Sequence, residues 1–130
     1  EILKMYDKNK NKYYKKKKVY HRPWGSYTNL FMGKEFLIKE LSVKSKGILS
    51  LQKHYHRAEH WLVTQGNPII TLNKFQFIKK TGEYTFIPLG SIHRIQNSEK
   101  EIVKIIEAQV GKILKESDIK RIEDVYGRIN

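Results

Sequence analysis

From Phe36 onward, the sequence is a succession of short apolar segments separated by turn signals. The segments are FLIKELSV, ILSLQKH, EHWLVTQ, IITLN, KFQFIKK, YTFIPLG, SIHRIQN and EIVKIIEAQV. Gly-Asn-Pro at 66–68 and Thr-Gly at 81–82 are typical turn residues between them. Short strands at this spacing predict an all-β sandwich or barrel, because alternating βα units would require helical segments between the strands. We expect a helical turn only near Ser117.

The basic charge of the chain is concentrated at one end. Lys and Arg number 26 against 13 Asp and Glu, which gives a formal net charge of +13 over 130 residues. Residues 1–22 alone contribute +7, from nine basic and two acidic side chains, and they have no apolar periodicity. We therefore predict a Lys-rich extension or linker at 1–21, one folded domain at 22–130, and no nucleic-acid partner.

Several classes of protein are excluded by what the sequence lacks. Cysteine is absent, so disulfides and thiolate metal sites are excluded. No apolar run reaches the length of a membrane span, and no secretory signal pattern is visible. These features predict a cytoplasmic protein with no membrane partner. The chain begins with Glu1 instead of Met, which fits a piece of a longer protein.

Arginine is scarce in this lysine-rich chain, with five arginines against 21 lysines. The five are Arg22, Arg57, Arg94, Arg121 and Arg128. Arg57 and Arg94 each stand beside a histidine of interest. Because a guanidinium is a planar, forked donor that lysine cannot imitate, these two arginines indicate recognition of a phosphate or a carboxylate.

The segment SLQKHYHRAEHW combines three histidines with a glutamine, a glutamate and an arginine. Three interpretations compete: metal ligands, a surface cluster, or the helix of a zinc protease. The protease motif H-E-x-x-H requires a glutamate where Arg57 stands between His56 and His60, and the flanking residues are typical of strands. On a strand, the period of two predicts that Gln52, His54 and His56 project from the same face.

A second segment, GEYTFIPLGSIHRIQN, has the spacing G-x5-P-x-G-x2-H-x3-N. It resembles the second signature motif of the cupin family at every defined position. The first cupin motif ends in H-x-H, three or four residues, Glu, six residues and Gly. Gln52, His54, Glu59 and Gly66 resemble this motif if Gln52 replaces the first histidine, although Gly47 precedes Gln52 by one residue fewer than usual.

The resemblance to cupins implies an all-β fold, the double-stranded β-helix or jelly-roll barrel. It also implies a metal site at Gln52, His54, Glu59 and His93. Two imidazoles, an amide oxygen and a carboxylate suit a divalent ion, Zn most of all, with Mn, Co or Fe as alternatives. Four protein ligands leave a coordination position open for water or substrate. The alternative is a cupin without a metal, in which these residues form a hydrogen-bonded polar pocket.

Four segments narrow the resemblance further: RPWGSY, LSLQKHYHRAEHW, YTFIPLGSIHRIQN and EDVYGR. Together, over residues 22–128, they resemble the type II mannose-6-phosphate isomerase domain. In that family the cupin is usually the C-terminal part of a bifunctional enzyme, whose other part is mannose-1-phosphate guanylyltransferase. The Gly-rich phosphate loop of that other part has no counterpart here. The resemblance therefore implies either a stand-alone isomerase-type cupin or the end of a bifunctional protein.

The family resemblance implies a metal-dependent isomerase. It would interconvert mannose 6-phosphate and fructose 6-phosphate through an enediol, in the synthesis of nucleotide-sugar and polysaccharide precursors. We expect His56 or His60 to be the acid/base, because His56 shares the predicted ligand face and His60 belongs to the RAEH signature. Arg57 is the expected clamp for the substrate phosphate or for developing negative charge, and Arg94 is a second candidate.

Less specific interpretations stay open at this point. Arg57 alternatively pairs only with a nearby carboxylate. Trp24 and Trp61 are expected to be core aromatics, with sugar platforms as the alternative. The rival function is a non-catalytic cupin that binds a sugar phosphate or dimerises beside a guanylyltransferase. A homodimer is expected under either function.

Overall fold

The computed structural model describes residues 17–128. These residues form eleven β-strands joined by turns and loops. The strands are β1 (Val19–Arg22), β2 (Gly25–Gly33), β3 (Phe36–Val43), β4 (Leu51–Lys53), β5 (Arg57–Gln65), β6 (Ile69–Leu72), β7 (Phe75–Ile78), β8 (Tyr84–Ile87), β9 (His93–Gln96), β10 (Val103–Gly111) and β11 (Lys120–Glu123). Within the same residues, no helix is long and apolar enough to span a membrane.

The strands form two antiparallel sheets. One has six strands in the order β1-β2-β3-β10-β5-β8, and the other has five in the order β11-β4-β9-β6-β7. The apolar core lies between the sheets, because it combines Val63 and Ile105 of the first sheet with Ile70 and Ile95 of the second. The all-β fold predicted from the sequence is confirmed.

The long strands of the six-stranded sheet are buried with the period of two that a half-buried strand requires. In β3, β5 and β10, every second side chain along most of the strand points inward and is buried. The chemistry of this inner face changes along the strands. Val103 of β10 is paired with Val43 of β3, whereas Glu107, four residues further along β10, is paired with Lys39.

The interior of the barrel is therefore divided into two halves. The apolar half consists of buried aliphatic side chains from both sheets, namely Val43, Val63, Ile70, Ile87, Ile95, Val103 and Ile105. The polar half consists of buried polar side chains, namely Lys39, His54, Arg57, Glu59, His93, Glu107 and Gln109. Trp24 and Trp61 belong to the apolar core cluster and are 7% and 2% exposed, which confirms that they are core aromatics.

The expected helical turn near Ser117 is wrong. A tight turn occurs there, in which the Asp118 amide donates to the Lys115 carbonyl at 3.0 Å, and the chain then continues as strand β11 beside β4. The Asp118 carboxylate accepts hydrogen bonds from the amides of Tyr55 and His56 at 2.9 and 3.0 Å. These partners are distant in the sequence, so the local residue pattern could not reveal the extended path that they stabilise.

The six-stranded sheet begins before the predicted domain boundary at residue 22, since β1 already pairs Val19 with Thr28. At the start of β2, Gly25 has a φ of +149°, and a Cβ there would lie 2.0 Å from the Ser42 carbonyl oxygen. Only glycine permits this approach of β2 to β3. Most of the predicted Lys-rich extension, residues 1–16, lies outside the described residues.

Candidate metal centre

Three predicted ligands, His54, Glu59 and His93, converge in the polar half. His54 follows β4, Glu59 lies on the inner face of β5, and His93 begins β9. The two histidine Nε2 atoms are 3.2 Å apart, and the Glu59 carboxylate lies 3.5 Å from His54 Nε2 and 3.4 Å from His93 Nε2. The three side chains are only 2–3% exposed. Their donor atoms therefore face one buried point.

The turn that precedes β9 holds the two histidine segments together. Gly90 has a φ of +79°, which favours glycine, and its amide donates to the His54 carbonyl at 3.1 Å. The Ser91 amide donates to the Pro88 carbonyl at 3.1 Å and closes the turn. The Pro and Gly of the second motif thus shape the turn from which His93 enters the barrel.

Hydrogen bonds at the far ring nitrogens fix the tautomers of both histidines. His54 Nδ1 lies 2.6 Å from the Asp118 carbonyl oxygen, and His93 Nδ1 lies 3.1 Å from the Ser91 carbonyl oxygen. Because a carbonyl only accepts, each Nδ1 is the donor and each Nε2 presents a lone pair. Two lone pairs thus face each other beside a carboxylate, an arrangement that favours a cation between them.

Burial keeps both imidazoles neutral. It lowers the pKa of His54 to about 4, and the Arg57 guanidinium and His93 lower that pKa in the same direction. Burial also lowers the pKa of His93 to about 4, although the Ser91 carbonyl and Glu107 oppose it. Since neutral imidazole is the form that coordinates a metal, the two side chains are ready to act as ligands at neutral pH.

The donor set and its spacing fit a divalent metal ion. Around an ion with bonds of about 2.1 Å, neighbouring ligand atoms are about 3.0–3.4 Å apart. Here the two Nε2 atoms are 3.2 Å apart, and Glu59 lies 3.4 Å from His93 through Oε1 and 3.5 Å from His54 through Oε2, which is close to that range. Two imidazoles and one carboxylate are also ligands that divalent ions of intermediate softness accept. His54, Glu59 and His93 are therefore able to bind a metal ion together.

Gln52, the fourth predicted ligand, lies beside this cluster. It is paired with His93 across β4 and β9, and its side chain lines the same cavity. Its Nε2 lies 3.4 Å from the Ser50 carbonyl oxygen, so the amide oxygen is the atom left for coordination. Coordination by Gln52 stays a prediction.

Arg57 supplies the counter-charge of the cluster. Its Nε donates to Glu59 at 3.0 Å, its Nη1 donates to the Lys115 carbonyl at 3.3 Å, and its Nη2 lies 3.2 Å from His54 Nε2. The residue is 5% exposed. These contacts match the alternative in which Arg57 pairs with a carboxylate, and they direct the guanidinium toward the ligands. Its expected contact with a substrate stays a prediction.

Of the two histidines expected to act as acid/base, His56 is exposed and does not line the cavity. The prediction that it shares a face with His54 is wrong. Strand β4 ends at Lys53, and the Asp118 carboxylate binds the backbone amides of residues 55 and 56, so the strand alternation stops before His56 is reached.

His60 lies on the outer face of the six-stranded sheet. It alternates along β5 with the inward-facing Glu59 and Trp61, so its side chain points away from the cavity. Its Nδ1 contacts the Tyr84 hydroxyl, and its ring centroid lies 4.8 Å from that of Phe86. The structure therefore separates both His56 and His60 from the metal ligands.

Glu107 is a cavity-lining carboxyl group that the sequence motifs did not identify. Its two oxygens accept hydrogen bonds from Trp61 Nε1 and Gln109 Nε2, each at 3.0 Å. Burial raises the pKa of Glu107 to about 7, the negative charge of Glu59 acts in the same direction, and nearby cations oppose both. The available signal was the alternation of EIVKIIEAQV, which puts this glutamate on the buried face.

Arg94, the second predicted substrate contact, also lines the cavity. Its Nε donates to the Leu49 carbonyl at 2.9 Å, and its Nη1 donates to Glu123 at 3.0 Å. Arg94 thus connects β9 with β11 beside the cavity, and its contact with a substrate stays a prediction.

The cavity beside the cluster is open to solvent. Its cationic lining residues are Arg22, Lys39, Arg57, Arg94, Arg121 and Arg128, and its carboxylates are Glu59, Glu107 and Glu116. The lining has six cations against three carboxylates, and Glu123 and Asp124, which do not line the cavity, pair with Arg94 and Arg128 and reduce the excess of positive charge. Such a cavity favours an anionic ligand.

Solved structures with the same fold include cupin domains. The cupin domain of Cnp3 from Schizosaccharomyces pombe superposes with a TM-score of 0.64 at 20% identity, over 66% of this chain and 64% of that one. The capsular polysaccharide assembling protein CapF from Staphylococcus aureus gives a TM-score of 0.72 at 18% identity, over 83% of this chain and 33% of that one. At these identities the likeness establishes the cupin fold alone.

Curated relatives share more of the sequence. The alginate biosynthesis protein AlgA of Pseudomonas syringae is 47% identical over 110 residues, which are 85% of this chain and 23% of AlgA. The xanthan biosynthesis protein XanB of Xanthomonas campestris is 46% identical over 86% of this chain and 24% of XanB. A mannose-1-phosphate guanylyltransferase of Klebsiella pneumoniae is 38% identical over 98% of this chain and 26% of its own length.

The chain thus spans about a quarter of the length of these relatives. The family described as mannose-6-phosphate isomerase C-terminal matches residues 8–124, most of the sequence. This match begins ahead of β1 and includes the complete metal-ligand cluster. The chain therefore belongs to the family of mannose-6-phosphate isomerase C-terminal domains, with the cupin fold.

Proposed function

We propose that this chain is a metal-dependent aldose–ketose isomerase domain that interconverts mannose 6-phosphate and fructose 6-phosphate. The observation that supports this function most is the buried convergence of His54, Glu59 and His93 beside a positively charged cavity, in a chain of this family. The cavity is open to solvent, so a small ligand can reach the cluster from outside. A role in polysaccharide precursor synthesis is consistent with the names of the AlgA and XanB relatives.

The reaction moves one proton between two carbons of an open-chain sugar. The proton leaves C2 of the aldose, the electron pair of the C–H bond forms the C1–C2 double bond, and the carbonyl oxygen at C1 takes up a proton. The enediol then loses the O2 proton, the C2 carbonyl forms, and C1 receives a proton. The protein must therefore hold the two carbonyl oxygens and exchange a proton at C2 and C1.

His54, Glu59 and His93, with Gln52 as a fourth ligand, would hold the metal, for which Zn²⁺ is our first choice. When bound, the ion supplies a Lewis acid that stabilises negative charge on the sugar oxygens. Arg57 orients the Glu59 carboxylate through its 3.0 Å contact.

Glu107 is our candidate for the proton carrier. An acid/base works best when its pKa lies near the operating pH, and burial raises the pKa of Glu107 to about 7. It lines the cavity, in contrast to His56 and His60. Its partners Trp61 and Gln109 are neutral donors, so its carboxyl can gain or lose a proton without breaking an ion pair.

A non-catalytic domain is the second candidate. The outer face of the six-stranded sheet has exposed apolar side chains at Leu62, Tyr84 and Phe86. Such a patch is typical of protein interfaces. The chain would then bind a sugar phosphate, pair with a second copy, or contact a guanylyltransferase, without turnover.

The decisive experiment measures fructose 6-phosphate formed from mannose 6-phosphate. The protein is stripped of metal, and Zn, Mn and Co are added back separately. The test variant is Glu59→Gln, which keeps the shape of the side chain but removes the ligand charge. The matched control is Glu101→Gln, at an exposed position outside the cavity.

We expect turnover that requires added metal, is abolished in Glu59→Gln and is unchanged in Glu101→Gln. Absence of turnover in folded, metal-loaded protein would contradict the isomerase proposal. In that case, binding of fructose 6-phosphate by calorimetry would support the non-catalytic candidate.

A further inference from the structure

The three metal ligands are not held equally by the two sheets. Glu59 lies inside β5, which is paired there with both β10 and β8. His93 begins β9 and is paired with both β4 and β6. His54, by contrast, lies between β4 and β5 and belongs to neither strand. The Gly90 amide anchors the His54 main chain at 3.1 Å, but the orientation of the His54 ring depends on other contacts.

Asp118 contacts the His54 segment at three points. Its carbonyl oxygen lies 2.6 Å from His54 Nδ1. The two oxygens of its carboxylate accept hydrogen bonds from the amides of Tyr55 and His56, at 2.9 and 3.0 Å. Asp118 is 8% exposed, so water has little access to these bonds. The side chain of Asp118 therefore holds the main chain directly after His54, while its own main chain contacts the ring.

The two kinds of contact at Asp118 act together. Because the carboxylate and the carbonyl belong to one residue, a carboxylate held by two amides keeps the carbonyl at a defined place beside His54. Hydrogen bonds to an ionised carboxylate are stronger than those between neutral groups. A neutral imidazole has two tautomers, and a carbonyl at Nδ1 selects the one whose Nε2 lone pair faces the other ligands.

The turn that carries Asp118 also reaches a second member of the cluster. The Asp118 amide donates to the Lys115 carbonyl at 3.0 Å, which closes the turn. The same Lys115 carbonyl accepts from Arg57 Nη1 at 3.3 Å. The turn thus presents one backbone carbonyl to His54 and another to the arginine that binds Glu59. A segment distant from the ligand motifs in the sequence supports both side chains.

Asp124 provides a comparison within the same part of the chain. Its carboxylate also accepts from two backbone amides, those of Tyr126 at 3.5 Å and Arg128 at 2.6 Å, and it binds the Arg128 guanidinium at 2.8 Å. It is 9% exposed, close to the value for Asp118. The two aspartates thus make similar contacts with the main chain, but only those of Asp118 are made to a metal ligand and the residues that follow it.

We propose that Asp118 is a positioning residue of the metal centre, which sets the tautomer and the orientation of His54 and thereby the affinity for the ion. The inference rests on the proposed function for the metal, and on the contacts of Asp118 alone for the His54 tautomer. A ligand that is oriented before the ion arrives need not be ordered on binding. Loss of the Asp118 contacts should therefore weaken metal binding through His54.

The test variant is Asp118→Asn, which keeps the size of the side chain but turns a donor toward one of the two amides. Asp118→Glu is the second variant, since it keeps both carboxylate oxygens and moves them by one methylene group. Asp124→Asn is the matched control. Calorimetry with Zn²⁺ measures the affinity of folded, stripped protein. Nitrogen NMR of the imidazoles in stripped protein at neutral pH measures the His54 tautomer, and urea denaturation measures stability.

We expect the Zn²⁺ affinity to fall by about 10- to 100-fold in Asp118→Asn and by a smaller factor in Asp118→Glu. Asp124→Asn should keep the affinity of the unmodified chain, whatever its loss of unfolding free energy. His54 should carry its proton on Nδ1 in the unmodified chain and in Asp124→Asn. In Asp118→Asn it should populate both tautomers.

An unchanged His54 tautomer in both Asp118 variants would overturn the proposal. So would an unchanged Zn²⁺ affinity in both, or an equal fall in Asp124→Asn, because the effect of Asp118 would then be on stability alone. Failure of the proposed function gives a different result. If the unmodified chain binds no Zn²⁺ but loses the single tautomer in Asp118→Asn, Asp118 still orients His54 and the metal-dependent isomerase fails.

Discussion

The apolar and polar halves of the barrel interior are built from the same strands, but burial of side chains stabilises the protein in the apolar half and costs free energy in the polar half. In β10, Val103 and Ile105 are fully buried in the apolar half, whereas Glu107 and Gln109 occupy equivalent inward positions in the polar half. The apolar half gains free energy from burial, at roughly 25 cal/mol per Å² of apolar surface. The polar half must instead satisfy each buried group with a partner, which costs desolvation free energy. One strand pattern thus provides both the core and the site.

In the polar half, the metal ligands comprise one ion-paired carboxylate and two neutral imidazoles. Glu59 is compensated by Arg57, and the two histidines remain neutral because burial lowers the pKa of each to about 4. A metal ion would add positive charge where two lone pairs and a carboxylate converge. Changes in the polar half should therefore act on metal binding and turnover, and changes in the apolar half should act on stability.

The largest effect is expected for Glu107→Gln in the polar half. Glutamine keeps the acceptor for Trp61 Nε1 but cannot carry a proton between carbons. We expect kcat to fall by about 10²–10⁴-fold, with metal content and fold retained. The measurement is steady-state kinetics of metal-loaded protein. His60→Gln, on the outer face of β5, is the control, and an equal loss in that variant would contradict the assignment of Glu107.

The second largest effect is expected at Arg57, whose positive charge balances that of the metal ligand Glu59. Arg57→Met removes the partner of the buried Glu59 while keeping an unbranched side chain. We expect the metal-free variant to lose about 3–5 kcal/mol of unfolding free energy, because a buried carboxylate is left without a cation. Urea denaturation should show that added metal restores much of this loss. A loss that metal does not reduce would show that Arg57 acts through packing alone.

In the apolar half, Ile105→Ala should give a different outcome. Truncation of this fully buried side chain is expected to cost about 2–5 kcal/mol of unfolding free energy, from lost burial and from the cavity left behind. Metal stoichiometry at low temperature should be unchanged. Denaturation with and without metal measures both quantities. A specific loss of metal binding in the folded variant would show that the two halves are not independent.

The smallest effect is the pH dependence of the metal-free protein. His54 and His93 titrate near 6.5 when unfolded and at about 4 when folded, so stability rises with pH across that window. Glu107 has a folded pKa of about 7 against 4.5 unfolded, so its contribution to stability falls as pH rises from about 4.5 to 7. Two histidines outweigh one carboxyl over this range, which predicts a net rise in stability that levels off near pH 7.

Urea midpoints in chelator at about pH 5, 6.5 and 8 would measure this dependence. The Glu107→Gln variant should show a steeper rise, because the opposing contribution of Glu107 is removed. A flat profile in the unmodified chain would contradict the buried neutral state of the histidines.

Much of the fold and of the ligand set could be predicted from the sequence. The spacing of the second motif identified His93, and the first motif identified His54 and Glu59, because a cupin barrel brings these two motifs to the same interior point. The alternation of short strands predicted an all-β barrel. These features are encoded in local spacing, which is what a single sequence displays.

The wrong predictions concern segments whose conformation depends on contacts between residues distant in the sequence, which a local residue pattern does not reveal. His56 was expected beside His54, but the Asp118 carboxylate, which approaches from the other end of the chain, binds the backbone there and turns the side chain outward. The same contact replaced the expected helical turn near Ser117 with a turn and a strand. Glu107 was missed because a glutamate in an apolar strand has no motif to distinguish it.

The central claim is that the polar half is a metal centre, and a calorimetric titration of stripped protein with Zn²⁺ tests it most directly. The prediction is one ion per chain, with binding lost in His93→Ala and retained in His60→Ala. Absence of binding in the folded, unmodified chain, or undiminished binding in His93→Ala, would contradict the assignment of the buried cluster.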